Sequence, residues 1–263
     1  MYAAQDHTWV ICAYRESPFL KDCIESLKAQ TVQSGIRMIT STPCDYLDNL
    51  AGQYDIPLYV NTGKAGISGD WNFALSQAKT PLVTLAHQDD CYEATYVQQM
   101  LEKVNAARRP IWYFTNYGEL RNGKRVCENR LLRIKRIMLW PVRLFPMWKW
   151  ARRRSLSCGN PICCPSVTYI SGIMQDHPFG DRYKSNLDWE QAEILSRLPG
   201  SFVYNPHILM FHRIHEESTT SELINQHGRH QEDYEMMCKF WPKGIAKRLS
   251  KVYGASENSN KVS

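Results

Sequence analysis

Apolar and polar positions in the first half of the chain switch repeatedly between a strand-like and a helix-like period. Residues 8–12 (Thr-Trp-Val-Ile-Cys) form an unbroken apolar run, which predicts a buried strand. Ser17-Pro18 predicts an N-cap with proline at the first helical position, and Leu20, Cys23, Ile24 and Leu27 follow at helical spacing. Residues 36–42 predict a second strand; Leu47, Leu50, Ala51 and Tyr54 mark one face of a second helix. Residues 56–60 are a third strand, and a glycine-containing loop at 61–69 leads into a helix carrying Trp71, Ala74, Leu75 and Ala78. Residues 81–86 are a fourth strand, ending in His87-Gln88-Asp89-Asp90. Val97, Met100, Leu101 and Val104 define the next helix, and residues 111–117 the next strand.

Asn122-Gly123 predicts a tight turn, after which a basic segment interrupts the alternation. Beyond it, residues 187–198 predict a helix, 202–204 a strand and 221–240 a long polar helix; from Gly254 onward the chain reads as a frayed tail. Strands separated by helical crossovers imply an α/β fold, a mainly parallel sheet flanked by helices. No internal repeat is evident. The expected organisation is one domain over residues 1–253, with a basic, aromatic insert at 121–154, a helical C-terminal part and a flexible tail at 254–263.

Charge changes the picture only locally. The net charge is +6, yet residues 121–154 contain twelve Lys or Arg against one acid, Glu128, so that segment carries +11 and the remainder −5. With 43% hydrophobic and 22% charged residues, the chain is neither disordered nor fibrous. Nine cysteines, an odd number scattered through apolar stretches, read as buried thiols of a reducing compartment. The opening residues are expected to form a strand rather than a signal peptide, and the most apolar stretch, 137–150, is broken by Arg143, Lys149 and two prolines. The expected location is cytoplasmic. Cys158, Cys163 and Cys164 fit no common zinc spacing.

Ligands of open α/β sheets gather at strand carboxyl ends, and three polar clusters fall there. In the first, Tyr14 can stack on a base and Arg15 or Glu16 can meet its edge; a solvated turn is the competing reading. The second is the loop with Gly63, Gly66 and Gly69, where glycines permit close backbone approach and Lys64 adds positive charge. It matches neither a Walker loop nor a dinucleotide fingerprint. The third, Gln88-Asp89-Asp90, offers oxygen ligands suited to Mg²⁺ or Mn²⁺, or alternatively a helix cap.

These pieces, in this order, resemble a family 2 glycosyltransferase of the GT-A (Rossmann-like) fold over roughly residues 7–220. The resemblance rests on Ala13-Tyr14, the Gly-Lys-Ala-Gly-Ile-Ser-Gly-Asp-Trp-Asn-Phe-Ala-Leu block at 63–75, the acidic strand end at 88–90, Asn186-Leu-Asp-Trp-Glu190, and Arg213-Ile-His215-Glu-Glu-Ser-Thr-Thr220. It implies inverting sugar transfer from a nucleotide-diphosphate sugar, UDP-linked, with Mg²⁺ or Mn²⁺ bridging the diphosphate. By position, Ala13, Tyr14, Glu16, Ser41 and Thr42 would border base and ribose, and Asp70 and Asn72 the nucleotide or donor sugar. Asp90 would hold the cation, with Asp89 or Gln88 toward the ribose. Gln88 stands where the family often has an acid, a departure that bears on metal affinity.

Asp188 aligns with the family's general base, and Glu190 is the reserve candidate because Leu187 replaces the usual preceding acid. A carboxylate is needed because an acceptor hydroxyl is a poor nucleophile until its proton is taken. The competing reading for both is an acid complementing a helix N-terminus. Arg213 and His215 belong to the segment that folds over the diphosphate, His215 reaching the metal or a phosphate oxygen.

Within 133–154, Arg133, Lys135, Arg136, Arg143, Lys149 and Arg152–Arg154 interleave with Ile137, Leu139, Trp140, Leu144, Phe145, Met147, Trp148 and Trp150. This composition predicts peripheral attachment to an anionic membrane surface, the inner face of the cell membrane; with the family resemblance, which implies a lipid-linked or saccharide acceptor of surface-polysaccharide synthesis, the expectation is an active site beside that acceptor. Prolines 141 and 146 predict two short pieces. The alternative is that the tryptophans cover the acceptor side of the core. A non-catalytic membrane- or nucleic-acid-binding module and a sugar-phosphate nucleotidylyltransferase are the competing functions. A nucleic-acid partner is not expected, since a binder would spread its positive field along the fold. A nucleotidylyltransferase would need a glycine-rich, basic loop directly after the first strand.

Overall fold

The computed structural model describes residues 1–64, 66–215 and 228–257. The alternation continues through β1 (His7–Ala13), α1 (Leu20–Lys28), β2 (Gly35–Thr40), α2 (Asp45–Tyr54), β3 (Leu58–Val60), α3 (Ile67–Ala78), β4 (Leu82–His87), β5 (Cys91–Tyr92), α4 (Tyr96–Ala106) and β6 (Pro110–Arg121). A hairpin leads to β7 (Lys124–Val126); Asn122 and Gly123 take φ of 47° and 76°, the left-handed pair a two-residue turn requires. The basic insert folds as α5 (Arg130–Met138), α6 (Trp140–Leu144) and α7 (Lys149–Ser155). Then come β8 (Val167–Ile170), α8 (Ser171–Asp176), α9 (Leu187–Ser196), β9 (Ser201–Ile214), α10 (Gly228–Cys238) and α11 (Lys243–Glu257).

The strands form one sheet in the order β3-β2-β1-β4-β8-β6-β9-β5, with β7 hydrogen-bonded to β6. β3, β2, β1 and β4 are mutually parallel, as are β6 and β9. β8 is antiparallel to both β4 and β6, so β6 and β9 run in the direction of β1. The carboxyl ends of the long strands therefore share one rim. Side chains alternate across the pleat: Trp9 and Ile11 pack with α1 and α4, Val10 with α3 and α9. Both faces are covered, which is why β1 reads as a continuous apolar run rather than an alternating one.

Several elements differ from expectation. α1 begins at Leu20, two residues later than Ser17-Pro18 predicts, yet Ser17 caps the turn leading into it: its Oγ accepts the Phe19 N–H at 3.3 Å, its carbonyl accepts the Leu20 N–H at 3.2 Å, and its hydroxyl donates to Asp89 Oδ1 at 2.9 Å. The two-residue β5 and the antiparallel β8 were not legible, and β9 extends far beyond residues 202–204. The insert is three helices instead of two pieces; Pro141 opens α6 and Pro146 separates α6 from α7. Of the polar helix expected at 221–240, residues 221–227 lie outside the described residues, and α10 covers the rest. α11 continues past Gly254 to Glu257, because Gly254 is buried against the His230 ring, where a Cβ would not fit.

Candidate active site

Three adjacent parallel strands, β2, β1 and β4, release the chain at the shared rim and so bring the three predicted clusters together. After β1, Ala13 is buried, while Tyr14, Arg15 and Glu16 are exposed; the Arg15 guanidinium lies 5.0 Å from the centre of the Tyr14 ring. Arg15 takes a left-handed φ of 56°, held by its N–H donating to Thr42 Oγ1 at 2.6 Å. Gln88 clamps this loop from β4: Oε1 accepts the Tyr14 N–H at 2.9 Å and Nε2 donates to the Tyr14 carbonyl at 3.0 Å. Both ends of the Gln88 amide thus shape the loop presenting Tyr14, and an acid could not make this pair of bonds.

Asp70, at the start of α3, accepts from Ser41 Oγ at 3.0 Å and from Asn61 Nδ2 at 2.7 Å. The loop before it needs glycine for backbone reasons: Gly66 has φ of 98°, and a Cβ on Gly69 would lie 2.1 Å from the Lys64 carbonyl oxygen. Lys64 pairs on the surface with Asp181. Asn72 faces away from Asp70: its Nδ2 donates to the Phe179 carbonyl and its Oδ1 accepts the Phe179 N–H, each at 2.9 Å. It holds the segment leading to α9.

Asp89 and Asp90 sit in a turn between β4 and β5, not at the start of a helix. β5 pairs with β9 so that Cys91 faces Phe211, which brings the residues after Phe211 onto the acids. Asp90 is fully buried; its Oδ1 accepts from the Arg213 N–H at 2.9 Å and faces His212 Nδ1 at 3.0 Å. Burial alone would raise the Asp90 carboxyl, but the neighbouring His212 and His87 and the Arg213 N–H outweigh it, and the group is held below the usual carboxylate range. Burial would lower His212; Asp90 outweighs that and raises it. Asp89 accepts from Ser17 and lies 3.2 Å from His215 Nε2. Arg213 is buried, its Nε donating to the Asp89 carbonyl at 2.8 Å and its Nη2 to Asp22 at 2.9 Å. It braces the acidic turn. Residues 216–220 of the late motif lie outside the described residues.

Asp90 Oδ2 is buried and accepts no hydrogen bond among the described residues. Among these residues no three His, Cys, Asp or Glu side chains converge into a cage. Such a donor set fits Mg²⁺ or Mn²⁺, which are held by one or two carboxylates and completed by phosphate and water.

Asp188 and Glu190 both lie in the first turn of α9, with Asn186 as N-cap. They differ in what they meet. Glu190 is buried against Lys239, Oε1 to Nζ 2.9 Å, and so is already neutralised. Asp188 has no such counter-ion in contact among the described residues; it accepts from Asn160 Nδ2 at 2.9 Å and from the Trp189 N–H at 2.7 Å. Burial raises its carboxyl more than these bonds and the nearby Arg229 and Lys135 lower it. Burial pushes the Cys163 thiol well above its usual value, and Asp90 and Asp188 both add to that rise.

Lys135 was counted with the membrane-facing cations, but its Nζ donates inward to the Tyr117 hydroxyl at 2.7 Å. Its positive charge lowers both Asp188 and His212. The signal was present in the spacing: Lys135 follows the buried Leu132 by one helical step of three. Arg152 is likewise buried, donating to the carbonyls of Gly200 and Leu198. His212 and Asn160 carried no distinguishing pattern.

The family model described as Glycosyl transferase family 2 matches residues 8–171, more than half of the chain. No curated protein matches it. The fold is similar to that of S. aureus TarS 1-349 in complex with UDP-GlcNAc, with a TM-score of 0.62 and 15% identity, over 96% of this chain and 72% of that one. It is also similar to the mannosyltransferase PcManGT from Pyrobaculum calidifontis in complex with GDP-Man and Mn²⁺, with a TM-score of 0.65 and 12% identity, over 98% of this chain and 76% of that one. Against a longer S. aureus TarS chain, the TM-score is 0.59 at 13% identity, over 92% of this chain but only 42% of that one. The sheet with its rim of β1, β2 and β4 ends is thus a GT-A fold, and the chain belongs to glycosyl transferase family 2, as a glycosyltransferase.

Proposed function

We propose that this enzyme transfers a hexosyl group, with inversion, from a uridine-diphosphate sugar to a hydroxyl of a saccharide or lipid-linked acceptor in surface-glycan synthesis. The catalytic unit would be residues 1–253, acting in the cytoplasm at the inner face of the membrane. The observation that carries the reading is a buried Asp90 with one oxygen that accepts no hydrogen bond among the described residues, on the rim where the Tyr14 loop and Asp70 also gather; Asp188, held by Asn160, has no ion-pair partner among those residues.

Tyr14 would stack on the base, and Asp70, held by Ser41 and Asn61, would meet the nucleoside or donor sugar. The neighbours include a complex with UDP-GlcNAc and one with GDP-Man, so a guanine nucleotide is the alternative outcome of the test. Asp90, with Asp89 and His215 beside it, would hold Mg²⁺ or Mn²⁺, which when bound supplies positive charge to the diphosphate. The acceptor oxygen bonds to the anomeric carbon from one side while the bond to the diphosphate oxygen breaks on the other. The acceptor proton passes to a carboxylate oxygen of Asp188, and the nucleoside diphosphate leaves with the bonding electron pair. Burial of Asp188 makes it a stronger base than a solvated carboxylate, while Asn160 fixes its orientation.

A thermal-shift panel of UDP- and GDP-sugars, with and without Mn²⁺, tests this directly. One donor should raise the unfolding midpoint, and more so with Mn²⁺. If no nucleotide sugar moves the midpoint under either condition, the proposed donor site is wrong.

A further inference from the structure

Helices α5, α6 and α7 carry their small aliphatic groups inward and their large aromatic groups outward. Leu132, Leu139, Val142, Ala151 and Leu156 are buried against the core. Trp140, Trp148 and Trp150 are 63%, 60% and 62% exposed, so they do not cover the core of this chain. Leu144, Phe145 and Ile137 are exposed with them, and Phe145 stacks on Trp148 with ring centres 4.6 Å apart. A surface that met only water would not gather its tryptophans this way; such patches mark a partner.

The structure also sorts the cations of the insert. Arg152 and Lys135 point inward, Arg153 pairs with Glu193 and Arg133 with Glu128. Arg143, Lys149 and Arg154 stay exposed beside the tryptophans, with no ion pair among the described residues. Arg154 lies 5.8 Å from the Trp150 ring centre. Aromatic side chains amphipathic enough for a headgroup layer, flanked by unpaired cations and no acid, complement an anionic bilayer.

We propose that this face docks the enzyme on an anionic phospholipid bilayer, with Trp140, Trp148 and Trp150 in the interface and Arg143 and Lys149 against headgroup charge. The idea deepens the membrane-held acceptor proposed above and takes its purpose from it. The strap runs across the sheet: in α5 Lys135 reaches the Tyr117 hydroxyl, and at the other end Pro146 accepts the Phe202 N–H at 3.1 Å at the start of β9, the end of that strand away from the active-site rim.

Flotation of the full chain with vesicles, in the absence of donor and acceptor, tests the docking separately from transfer. The protein should float with phosphatidylcholine–phosphatidylglycerol vesicles at low salt and remain below with pure phosphatidylcholine. Trp140→Ser, Trp148→Ser and Trp150→Ser together should cut partitioning at least about tenfold with an unchanged unfolding midpoint. Arg143→Gln and Lys149→Gln should each reduce it about fivefold and weaken the salt dependence. Absence of flotation with anionic vesicles, or equal flotation of the triple-Trp variant, overturns the proposal. So does light scattering that finds the wild type dimeric and the triple-Trp variant monomeric, since a second copy would then cover the face.

Discussion

The main-chain N–H of Arg213 donates to Oδ1 of Asp90 at 2.9 Å, joining residues 123 positions apart at the acidic end of the rim. Removing the acceptor should therefore do two things. Asp90→Ala leaves a buried N–H without a partner and should cost about 1–3 kcal/mol of stability as well as donor binding. Asp90→Asn keeps an oxygen for that N–H, so its unfolding midpoint should stay closer to wild type while Mn²⁺-dependent stabilisation by the donor disappears. Denaturation of the two variants, with and without donor and Mn²⁺, separates the roles.

The Asp90–His212 pair gives stability a pH window. Asp90 is lowered in the fold, so its contribution is present above the ordinary carboxylate range and is lost as pH falls through the folded value. His212 is raised, so its contribution is complete below the ordinary imidazole range and is lost as pH rises through the folded value. The unfolding midpoint of wild type minus His212→Gln should be largest between these limits and shrink toward alkaline pH. A difference that is flat with pH would contradict the ion pair.

Asp188→Asn should lower kcat by about 10²–10⁴-fold, the range expected for loss of a general base, with donor binding retained. The raised carboxyl makes a second effect checkable. Transfer requires the ionised form, so the acid limb of wild-type kcat should lie above the ordinary carboxylate range. Because a raised acid loses stability as pH climbs from its unfolded to its folded value, Asp188→Asn should be relatively more stable than wild type at neutral pH than at acid pH.

Lys135 lowers Asp188, so Lys135→Met should push the acid limb of kcat to still higher pH. A lysine that only supported packing would leave the pH profile in place and lower the amount of folded enzyme. Stopped-time assays across pH distinguish the two.

Glu190→Gln should behave as a stability variant. It leaves Lys239 without its contacting carboxylate, at a cost of about 3 kcal/mol, while kcat of the folded fraction remains close to wild type. A loss of kcat matching that of Asp188→Asn would transfer the base role to Glu190.

The sequence by itself determined the strand–helix alternation, because β1 and β4 are buried on both faces and so are mostly apolar (among their buried polar exceptions, His7 and Thr84 bond each other at 2.9 Å), and α1 to α4 must present one apolar stripe. It also determined that Tyr14, Ser41, Thr42 and Gln88–Asp90 share a rim, since strand ends of a parallel sheet all point one way. Only the tertiary structure decided the partners across the rim. β5 is two residues long and β8 four, too short for any period to show, yet β5 carries Asp90 to His212 and β8 turns β6 and β9 into line with β1. Side chains of one type were likewise divided by packing alone: Lys135 inward and Lys149 outward, Asp188 on Asn160 and Glu190 on Lys239, Asn72 on Phe179 and Asn61 on Asp70. Such choices rest on contacts between segments far apart in the chain, which residue spacing does not encode.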